Sequence, residues 1–474
     1  MLEGGPAPAW QRFGAAAGLV AGAGAYVFLP PSPALAGAVV YVVAAAACPI
    51  LALQLVILST PFYLFAKGAA SLPFTPTEFL LLGATVSWLG RAGWEWVARG
   101  RRPALSLGQP DWPLLLFVVG ALAATFAATN LGAHVRQLRV VVFEPLVFYW
   151  LARRHAREAS GFLALLDALV LAGVAVGLYA IYQYFFTTDT IVAEGVGRVR
   201  GLYGSPNNLG LFLERAALLC ACLGIWGGRR RGLYAAALAP IGVALGLTFS
   251  LGAWLGVAAG MLFAAVVGSR RRLALGIVGA LVLTVAAGWF VGLPRIVSHF
   301  SLEAGTWRWR LFVWQAGWEM ARAHPVLGVG LDNFFTLYPH YMAPEAWPEP
   351  GLSHPHNLVL DFWLSTGIAG LVGGLWLIGR LWWRALALWQ RGMQPELRAA
   401  GLGLAASVVA VVVHGAFDNS YFLVDLALVF WLYQALAAAQ QPARRSAMIA
   451  PAVASAYEGK EEGQPARGSW PQLP

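Results

Sequence analysis

The sequence predicts an all-α polytopic membrane protein with 12 to 14 transmembrane helices. Three observations predict this fold class. Hydrophobic residues make up 59% of the 474 residues and charged residues only 11%, and the mean hydropathy is +0.65. Apolar runs long enough to cross a bilayer follow one another along most of the chain. Clusters of arginine separate these runs at regular intervals.

Thirteen apolar runs are candidate spans. The first is expected to be a span and not a removable signal peptide, because no small-residue cleavage site and polar domain follow it. The second contains Cys48-Pro49 and is too long for one straight helix, so it is expected to be one kinked helix or two short ones. The runs lie at 13–29, 34–65, 75–91, 111–128, 137–152, 162–186, 207–226, 233–249, 251–267, 273–292, 357–379, 398–416 and 420–439.

Arginine clusters between the spans predict the orientation of the chain. From residue 75 onward every second connection is basic, which is the pattern of cytoplasmic loops. This pattern accounts for the net charge of +10 without nucleic-acid binding, which the sequence therefore does not predict. The three cysteines lie inside apolar runs and predict neither a metal site nor a disulfide.

The connections between the basic ones are predicted to face outward, toward the periplasm or the exterior. One of them is long and is expected to contain amphipathic helices. It holds five of the eight histidines, so the groups capable of chemistry gather on the outer face. The tail is polar and proline-rich and is expected to be disordered. The predicted divisions are an N-terminal transmembrane bundle at 1–293, a large outer loop at 294–356, C-terminal transmembrane helices at 357–440 and a cytoplasmic tail at 441–474.

Two histidines, His354 and His356, lie one residue apart where the outer loop enters an apolar run. Three interpretations are open for them. They are an interfacial pair, a metal site together with His340, or a general base, because an imidazole titrates near neutral pH and can accept a proton from a hydroxyl. The metal site is the least favoured, because the spacing is not a zinc pattern and no neighbouring carboxylate or cysteine completes it.

Two arginine-containing stretches of the outer connections are candidate anion sites. "RVRGLYGSPNNLG" contains Arg198 and Arg200 ahead of a helix start, where backbone amides favour an anion. "TWRWRLFVWQAGW" contains Arg310 and Trp314 at helical spacing. The alternatives are a structural helix cap for the first stretch and a helix lying on the membrane surface for the second. Arginine suits a pyrophosphate, because its planar cation binds phosphate bidentately.

Ionisable residues inside the predicted spans are expected to face protein or water. Glu214 and Arg215 are adjacent and need not pair with each other. Asp361 follows His356 by five residues and either orients the site or meets a buried partner. His414 and Asp418, in "HGAFDNS", lie at the outer end of a later span and could line the same cavity.

Three motifs in this part of the chain resemble those of a known family. His356-Asn357, then nine residues, then Gly367-Ile368-Ala369-Gly370 fit the pattern H-[NSQ]-x9-G-x-x-[GTY] of the O-antigen ligase and O-antigen polymerase superfamily. "RLFVWQAGWEMARAHPVLGVGLDNF" resembles the family's arginine-x-x-x-tryptophan helix and its P-x-x-G-x-G turn. "RGLYGSPNNLG" resembles its arginine-glycine … proline-asparagine loop. The resemblance covers about Arg198 to Asp418.

This resemblance implies a metal-independent, inverting membrane glycosyltransferase of the GT-C type that needs no cofactor. The donor would be a glycan on undecaprenyl pyrophosphate at the periplasmic face of the bacterial inner membrane. The acceptor would be a hydroxyl of lipid A-core or of another carrier. The resemblance makes His356 the catalytic base, and Arg200 and Arg310, with Arg198, the ligands of the pyrophosphate. Candidates for supporting roles are Asn357, His354, Trp314, Asp361 and Asp418.

At one turn the chain departs from the family. Many members have serine-arginine-glycine there, whereas this chain has Phe249-Ser250-Leu251-Gly252. If the missing arginine binds phosphate in the family, then Arg198 or Arg200 takes its place here, or the donor differs.

Other functions stay open at this point. A polymerase would use the same donor chemistry with a second lipid-linked glycan as the acceptor. Protein O-oligosaccharyltransferases are a further relative, but they usually carry an additional C-terminal region. A transporter of lipid-linked glycans is the alternative from another class; it is expected to show internal repeats and charges at the membrane midplane, whereas the titratable groups here concentrate in the outer loop.

Overall fold

The computed structural model describes residues 9–29, 31–66, 74–100, 111–193, 195–290, 306–346 and 351–440. The predicted tail and parts of the predicted outer loop, at 291–305 and 347–350, lie outside these ranges. The helices are α1 (Ala9–Phe28), α2 (Pro31–Ala47), α3 (Pro49–Ser59), α4 (Pro76–Arg99), α5 (Trp112–Ala123), α6 (Leu131–Leu138), α7 (Glu144–His155), α8 (Ala159–Phe186), α9 (Pro206–Trp226), α10 (Arg231–Leu247), α11 (Leu251–Val267), α12 (Arg271–Phe290), α13 (Thr306–Ala323), α14 (Phe334–Tyr341), α15 (Leu358–Arg391), α16 (Pro395–Gly415) and α17 (Val424–Ala439).

The protein is an all-α polytopic membrane protein, as the sequence predicts. Among the described residues, four helices are long and apolar enough to cross a membrane, namely α8, α9, α15 and α16. Shorter apolar helices accompany them, so the range of 12 to 14 spans stays a prediction. The run at 34–65 forms two helices, α2 and α3. The break falls at Cys48, because Pro49 has no backbone N–H to continue the first helix.

The connections between helices form two groups at opposite ends of the bundle, as the contacts between helix ends show. At the basic end, defined by the connections that contain Arg157, Arg229 and Arg270, Trp226 Nε1 donates to Gly268 O at 3.3 Å. Arg229 N donates to Glu396 Oε1 at 2.8 Å there. The site end is defined by the connections at 187–205, 248–250 and 416–423 and by the start of α15. This sorting agrees with the alternation of basic and outward connections in the sequence.

The connection between α8 and α9 contains a β-hairpin that the sequence did not predict. Strand β1 (Ile191–Ala193) pairs antiparallel with β2 (Val196–Arg198). Three residues are too few to reveal the alternation of a strand. The hairpin places Arg198 opposite Ile191 and leads directly into the loop before α9.

The glycines of the family pattern shape α15. Gly367 has a φ of 66°, which kinks the helix, and Ile368 N donates to Val326 O at 3.0 Å across the kink. The P-x-x-G-x-G turn packs on the same place, where Val329 N and Gly330 N donate to Leu364 O at 2.7 and 3.1 Å. These two motifs are therefore one packing unit, which fixes the segment after α13 to α15.

The last glycine of the pattern permits a close helix crossing. A Cβ added to Gly120 of α5 would collide with the backbone of Gly370 in α15. Neither helix tolerates a larger side chain at this contact. Two of the motif positions, Gly367 and Gly370, thus serve the backbone and not the chemistry.

Buried polar contacts anchor the segment between α13 and α14 to the membrane bundle. Asn333 Oδ1 accepts from Thr129 Oγ1 at 2.9 Å and from Asn130 N at 2.6 Å. Leu331 N donates to His134 Nδ1 at 2.9 Å. These bonds join residues about 200 positions apart in sequence and hold the segment before α14 against α6 and the residues that precede it.

Candidate active site

The predicted catalytic histidine lies where three elements meet at the site end. His356 immediately precedes α15, whose N-cap is Asn357. Asp418 lies in the connection between α16 and α17, and Asn207 lies in the first turn of α9. Residues far apart in sequence thereby gather around one imidazole.

The backbone of His356 is held in an uncommon conformation. Its φ is 48°, a region that costs a non-glycine residue about 1–3 kcal/mol. Trp314 Nε1 of α13 donates to His356 O at 3.2 Å. On the other side, Asn357 Oδ1 accepts from Val359 N and Leu360 N at 3.0 and 3.1 Å. Contacts from two helices thus hold the strained residue, and the predicted supporting residues Trp314 and Asn357 act on its backbone.

Asp418 is the centre of the hydrogen-bond network. Its side chain is only 2% exposed, and its Oδ1 accepts from His356 Nδ1 at 3.0 Å, His354 Nε2 at 3.2 Å and Asn419 N at 2.9 Å. Asn207 Nδ2 donates to Oδ2 at 3.0 Å. Burial would raise the pKa of Asp418, but the adjacent His356, with hydrogen bonds from both histidines, holds that pKa well below its usual range. The carboxylate is therefore charged at neutral pH.

The two histidines differ in whether their second ring nitrogen is available to a substrate. A carboxylate only accepts, so the nitrogen of each ring that faces Asp418 carries the proton. The other nitrogen of His354, Nδ1, contacts Ser353 Oγ at 2.9 Å. His356 Nε2 has no hydrogen-bond partner among the described residues, and the His356 side chain is 22% exposed. His356 alone of the pair leaves its second nitrogen open to an incoming hydroxyl.

Arg198 reaches this network through Asn207. The arginine is 8% exposed, and its Nη2 donates to Asn207 Oδ1 at 2.8 Å. Its Nε donates to Thr248 O at 2.8 Å, directly before the turn that contains Leu251. Arg198 therefore lies at the turn where many family members have an arginine.

Arg200 lies apart from the histidines. Its Nη2 contacts Asp189 Oδ1 at 2.8 Å, and its side chain is 38% exposed. Gln183 Oε1 accepts from the backbone N of Arg200 and of Gly201 at 3.1 and 2.8 Å. An exposed ion pair contributes only about 0–1 kcal/mol, so an anion that binds Arg200 more tightly can displace Asp189.

Arg310 lies one helical turn before Trp314 on α13, so both residues share a face of the helix. That face reaches His356 through Trp314. Arg310 is partly buried, and its guanidinium has no hydrogen-bond or ion-pair partner in the part of the chain that the structure describes. A permanent cation is thus available beside the histidine network.

The remaining acidic and basic candidates lie elsewhere. Asp361 is 4% exposed, and its Oδ1 accepts from Ser365 Oγ at 3.3 Å; it hydrogen-bonds neither histidine. His414 does not line the site with Asp418, because His414 Nδ1 contacts Glu214 Oε2 at 2.8 Å in the interior. Glu214 and Arg215 do contact each other, at 3.8 Å between Oε1 and Nη1.

Asp418 supplies a carboxylate beside the two histidines. The prediction that no carboxylate completes a metal site with them is therefore wrong on this point. The ligand-type atoms of His354, His356 and Asp418 lie within 4.8 Å of one another. They also satisfy one another by hydrogen bonds, which is an alternative to a shared ion. Metal independence therefore stays a prediction.

Asn207 and Asn419 are the site residues that the sequence did not single out. The asparagines of "PNNLG" were expected to cap a helix, but Ser205 is the cap, because its Oγ accepts from Asn208 N at 3.2 Å. Asn207 is thereby free to bind Asp418. The asparagine that follows Pro206 is visible in the sequence. Its hydrogen-bond partner Asp418, 211 residues away, is not.

A family model described as O-antigen ligase matches residues 234–375, or 142 of the 474 residues. The resemblance found in the motifs is confirmed over this segment, which contains Arg310, Trp314 and His356. Arg198, Asn207 and Asp418 lie outside it. No curated protein matches the chain.

Proposed function

We propose that this chain, which carries an O-antigen ligase segment at residues 234–375, transfers a glycan from undecaprenyl pyrophosphate to an acceptor hydroxyl. The reaction takes place at the outer face of the bacterial inner membrane. One observation carries the proposal, namely the open Nε2 of an imidazole whose Nδ1 is bound by the buried carboxylate of Asp418.

In the proposed reaction the acceptor oxygen attacks the anomeric carbon on the face opposite the pyrophosphate. The hydroxyl proton passes to His356 Nε2, and the bond between the sugar carbon and the phosphate oxygen breaks with both electrons going to that oxygen. The anomeric configuration inverts because there is one displacement. Asp418 stabilises the imidazolium that forms and keeps Nδ1 protonated throughout.

The leaving group needs charge stabilisation more than protonation, because a pyrophosphate is a weak base. Arg310 is the first candidate, since it lies one turn from Trp314 and the family segment contains it. Arg200 is the second and would exchange Asp189 for phosphate. Arg198 is proposed to position Asn207 and not to bind the pyrophosphate, because its contacts with Asn207 and Thr248 already occupy two of its nitrogens.

The test uses the purified protein in lipid nanodiscs with an undecaprenyl-pyrophosphate glycan, with and without a lipid acceptor, and separates the products by mass. One added glycan per acceptor supports a ligase, and a ladder from the donor alone identifies a polymerase. His356→Ala is expected to lower the rate by about 10²–10⁴, and His340→Ala, an exposed histidine of the same outer segment, is expected to leave it unchanged. Donor that binds but is never cleaved would favour a transporter.

Metal independence is tested in the same assay. Treatment with a chelator is expected to leave the rate unchanged, because His356, Asp418 and the arginines supply the proposed base and charges. A loss of rate that added divalent metal restores would instead make His354, His356 and Asp418 the ligands of an ion.

A further inference from the structure

We infer that the protein binds the phosphate group of an anionic phospholipid in a cavity at its basic end, away from the candidate active site. The cavity has a volume of about 440 Å³ and lies among α2, α3, α4 and α7. Its walls are apolar, formed by residues such as Ala52, Leu53 and Ala84, and its polar lining includes Ser87, Arg91, Arg154 and His155. Neither the family segment at 234–375 nor the proposed reaction involves any of these residues.

Arg154 is held in position with its donors unused. Its guanidinium carbon lies 4.7 Å from the ring centre of Trp150 and 5.5 Å from that of Trp88. The two indole rings meet edge to face at 4.3 Å. Stacking uses the flat faces of a guanidinium. Its N–H groups lie in the plane of the group and therefore stay available as hydrogen-bond donors. Those groups have no acceptor among the described residues, although the side chain is partly buried.

Two further polar groups of the cavity lack partners. Ser87 is 6% exposed, and its Oγ has no hydrogen-bond partner in the described part of the chain. A buried polar atom left unpaired costs about 1–3 kcal/mol. The ring nitrogens of His155, also partly buried, have no hydrogen bond in the same ranges. A ligand rich in acceptor oxygens would satisfy Ser87, Arg154 and His155 together.

The charge of the cavity favours an anion. Arg91 and Arg154 contribute two cations, and Glu95 contributes one anion. Arg91 Nε contacts Glu95 Oε1 at 3.3 Å, with side-chain exposures of 57% and 39%. Such an exposed pair is worth about 0–1 kcal/mol. Arg91 Nη1 also donates to Ala46 O at 3.2 Å. A phosphate can therefore replace Glu95 at little cost while the bond to Ala46 stays in place, and the net positive charge attracts it.

The location distinguishes this cavity from the active site and favours a lipid as the source of the phosphate. Gly161, near the start of α8, packs against His155 O, and Gln183, near its other end, binds the loop of Arg200. At 1.5 Å per residue these points are about 33 Å apart. Tryptophans beside arginines are typical of a membrane interface, and the basic end is the predicted cytoplasmic one, where the leaflet carries anionic lipids.

The experiment measures the thermal stability of the purified full-length protein in detergent as phosphatidylglycerol, phosphatidylcholine or inorganic phosphate is added. We expect phosphatidylglycerol to raise the Tm beyond the effect of phosphatidylcholine. In Arg154→Gln the apparent affinity for phosphatidylglycerol is expected to fall at least about tenfold, because a charge-assisted contact is lost. Arg229→Gln removes the same charge from an exposed position at the basic end and is expected to keep the full response.

The comparison uses the difference between the two lipids within each variant, so a general loss of stability in Arg154→Gln cancels. Ala84→Leu provides a second test, because it fills the cavity and leaves every charge in place. It is expected to abolish the phosphatidylglycerol response. An equal response in all four proteins would overturn the site, and inorganic phosphate reproducing the whole effect would overturn the lipid as its ligand.

Discussion

Two histidine–carboxylate pairs among the described residues have nearly equal geometry and very different surroundings. His356 Nδ1 lies 3.0 Å from Asp418 Oδ1 at the site end, and His414 Nδ1 lies 2.8 Å from Glu214 Oε2 in the interior. The side chains of the outer pair are 22% and 2% exposed, whereas those of the inner pair are 1% and 0% exposed. The outer imidazole can meet a substrate and the inner one cannot.

Two glycines of α11 pack directly against the inner pair and leave no space beside it. A Cβ added to Gly252 would lie 2.7 Å from His414 Nε2, and one added to Gly256 would lie 2.9 Å from Glu214 Oε2. Arg215 completes the inner group and donates from Nη2 to Ser420 O at 2.7 Å. Ser420 belongs to the connection that carries Asp418. The inner group therefore contacts the connection that carries Asp418, and exposure to solvent, not residue type, distinguishes the two pairs.

Replacing His414 by alanine is expected to have the largest effect on stability. It leaves Glu214 buried with only Arg215 at 3.8 Å as a charged partner, and a broken buried pair costs about 3–5 kcal/mol. Thermal unfolding in detergent measures the loss, with His340→Ala as the control. If His414→Ala keeps the wild-type Tm but does not transfer glycan, the distinction between the two pairs is wrong, because the inner pair would then take part in the reaction.

Asp418→Asn is expected to lower kcat about a hundredfold, or about 2.7 kcal/mol, since the imidazolium loses its counter-charge. Single-turnover transfer by wild type and variant at equal occupancy of the donor provides the measurement. An unchanged kcat would mean that Asp418 serves only to hold the loop.

Asn207→Ala is expected to lower kcat about tenfold with little change in KM, because it removes one hydrogen bond to Asp418 and separates Arg198 from the network. Arg198→Gln should have a similar effect. The double variant should be no worse than the poorer single one, since the two residues act in series. Fully additive losses would show that Arg198 acts independently of Asn207, for example on the donor.

The smallest expected effect is a pH dependence of stability. Because the folded pKa of Asp418 lies below its ordinary value, its carboxylate stabilises the fold above about pH 4, and this contribution falls as the pH drops through the folded pKa. Unfolding measured at about pH 6 and about pH 3 should therefore show a smaller acid-induced loss in Asp418→Asn than in wild type. An equal loss would contradict the network around this carboxylate.

The sequence predicted the helical membrane class and the break at Pro49, because apolar runs and proline are visible along the chain. It also singled out His356 as the candidate base through a local motif, and that role stays a prediction. It did not predict that Asp418 binds His356, since the two are 62 residues apart and only the packing of α15 and α16 brings them together. For the same reason Arg198 and Arg200, two residues apart, could not be told apart: Arg198 ends β2 and contacts Asn207, whereas Arg200 follows the strand and contacts Asp189.

The most direct measurement compares single-turnover glycan transfer in His354→Asn and His356→Asn at equal occupancy of the donor. Both rings bind Asp418, but only His356 has an open nitrogen among the described residues. We therefore expect a loss of about 10²–10⁴ in His356→Asn, with donor binding unchanged, and at most about a tenfold loss in His354→Asn, where one hydrogen bond to Asp418 disappears. Equal losses in the two variants, or a larger loss in His354→Asn, would contradict the assignment of His356 as the base.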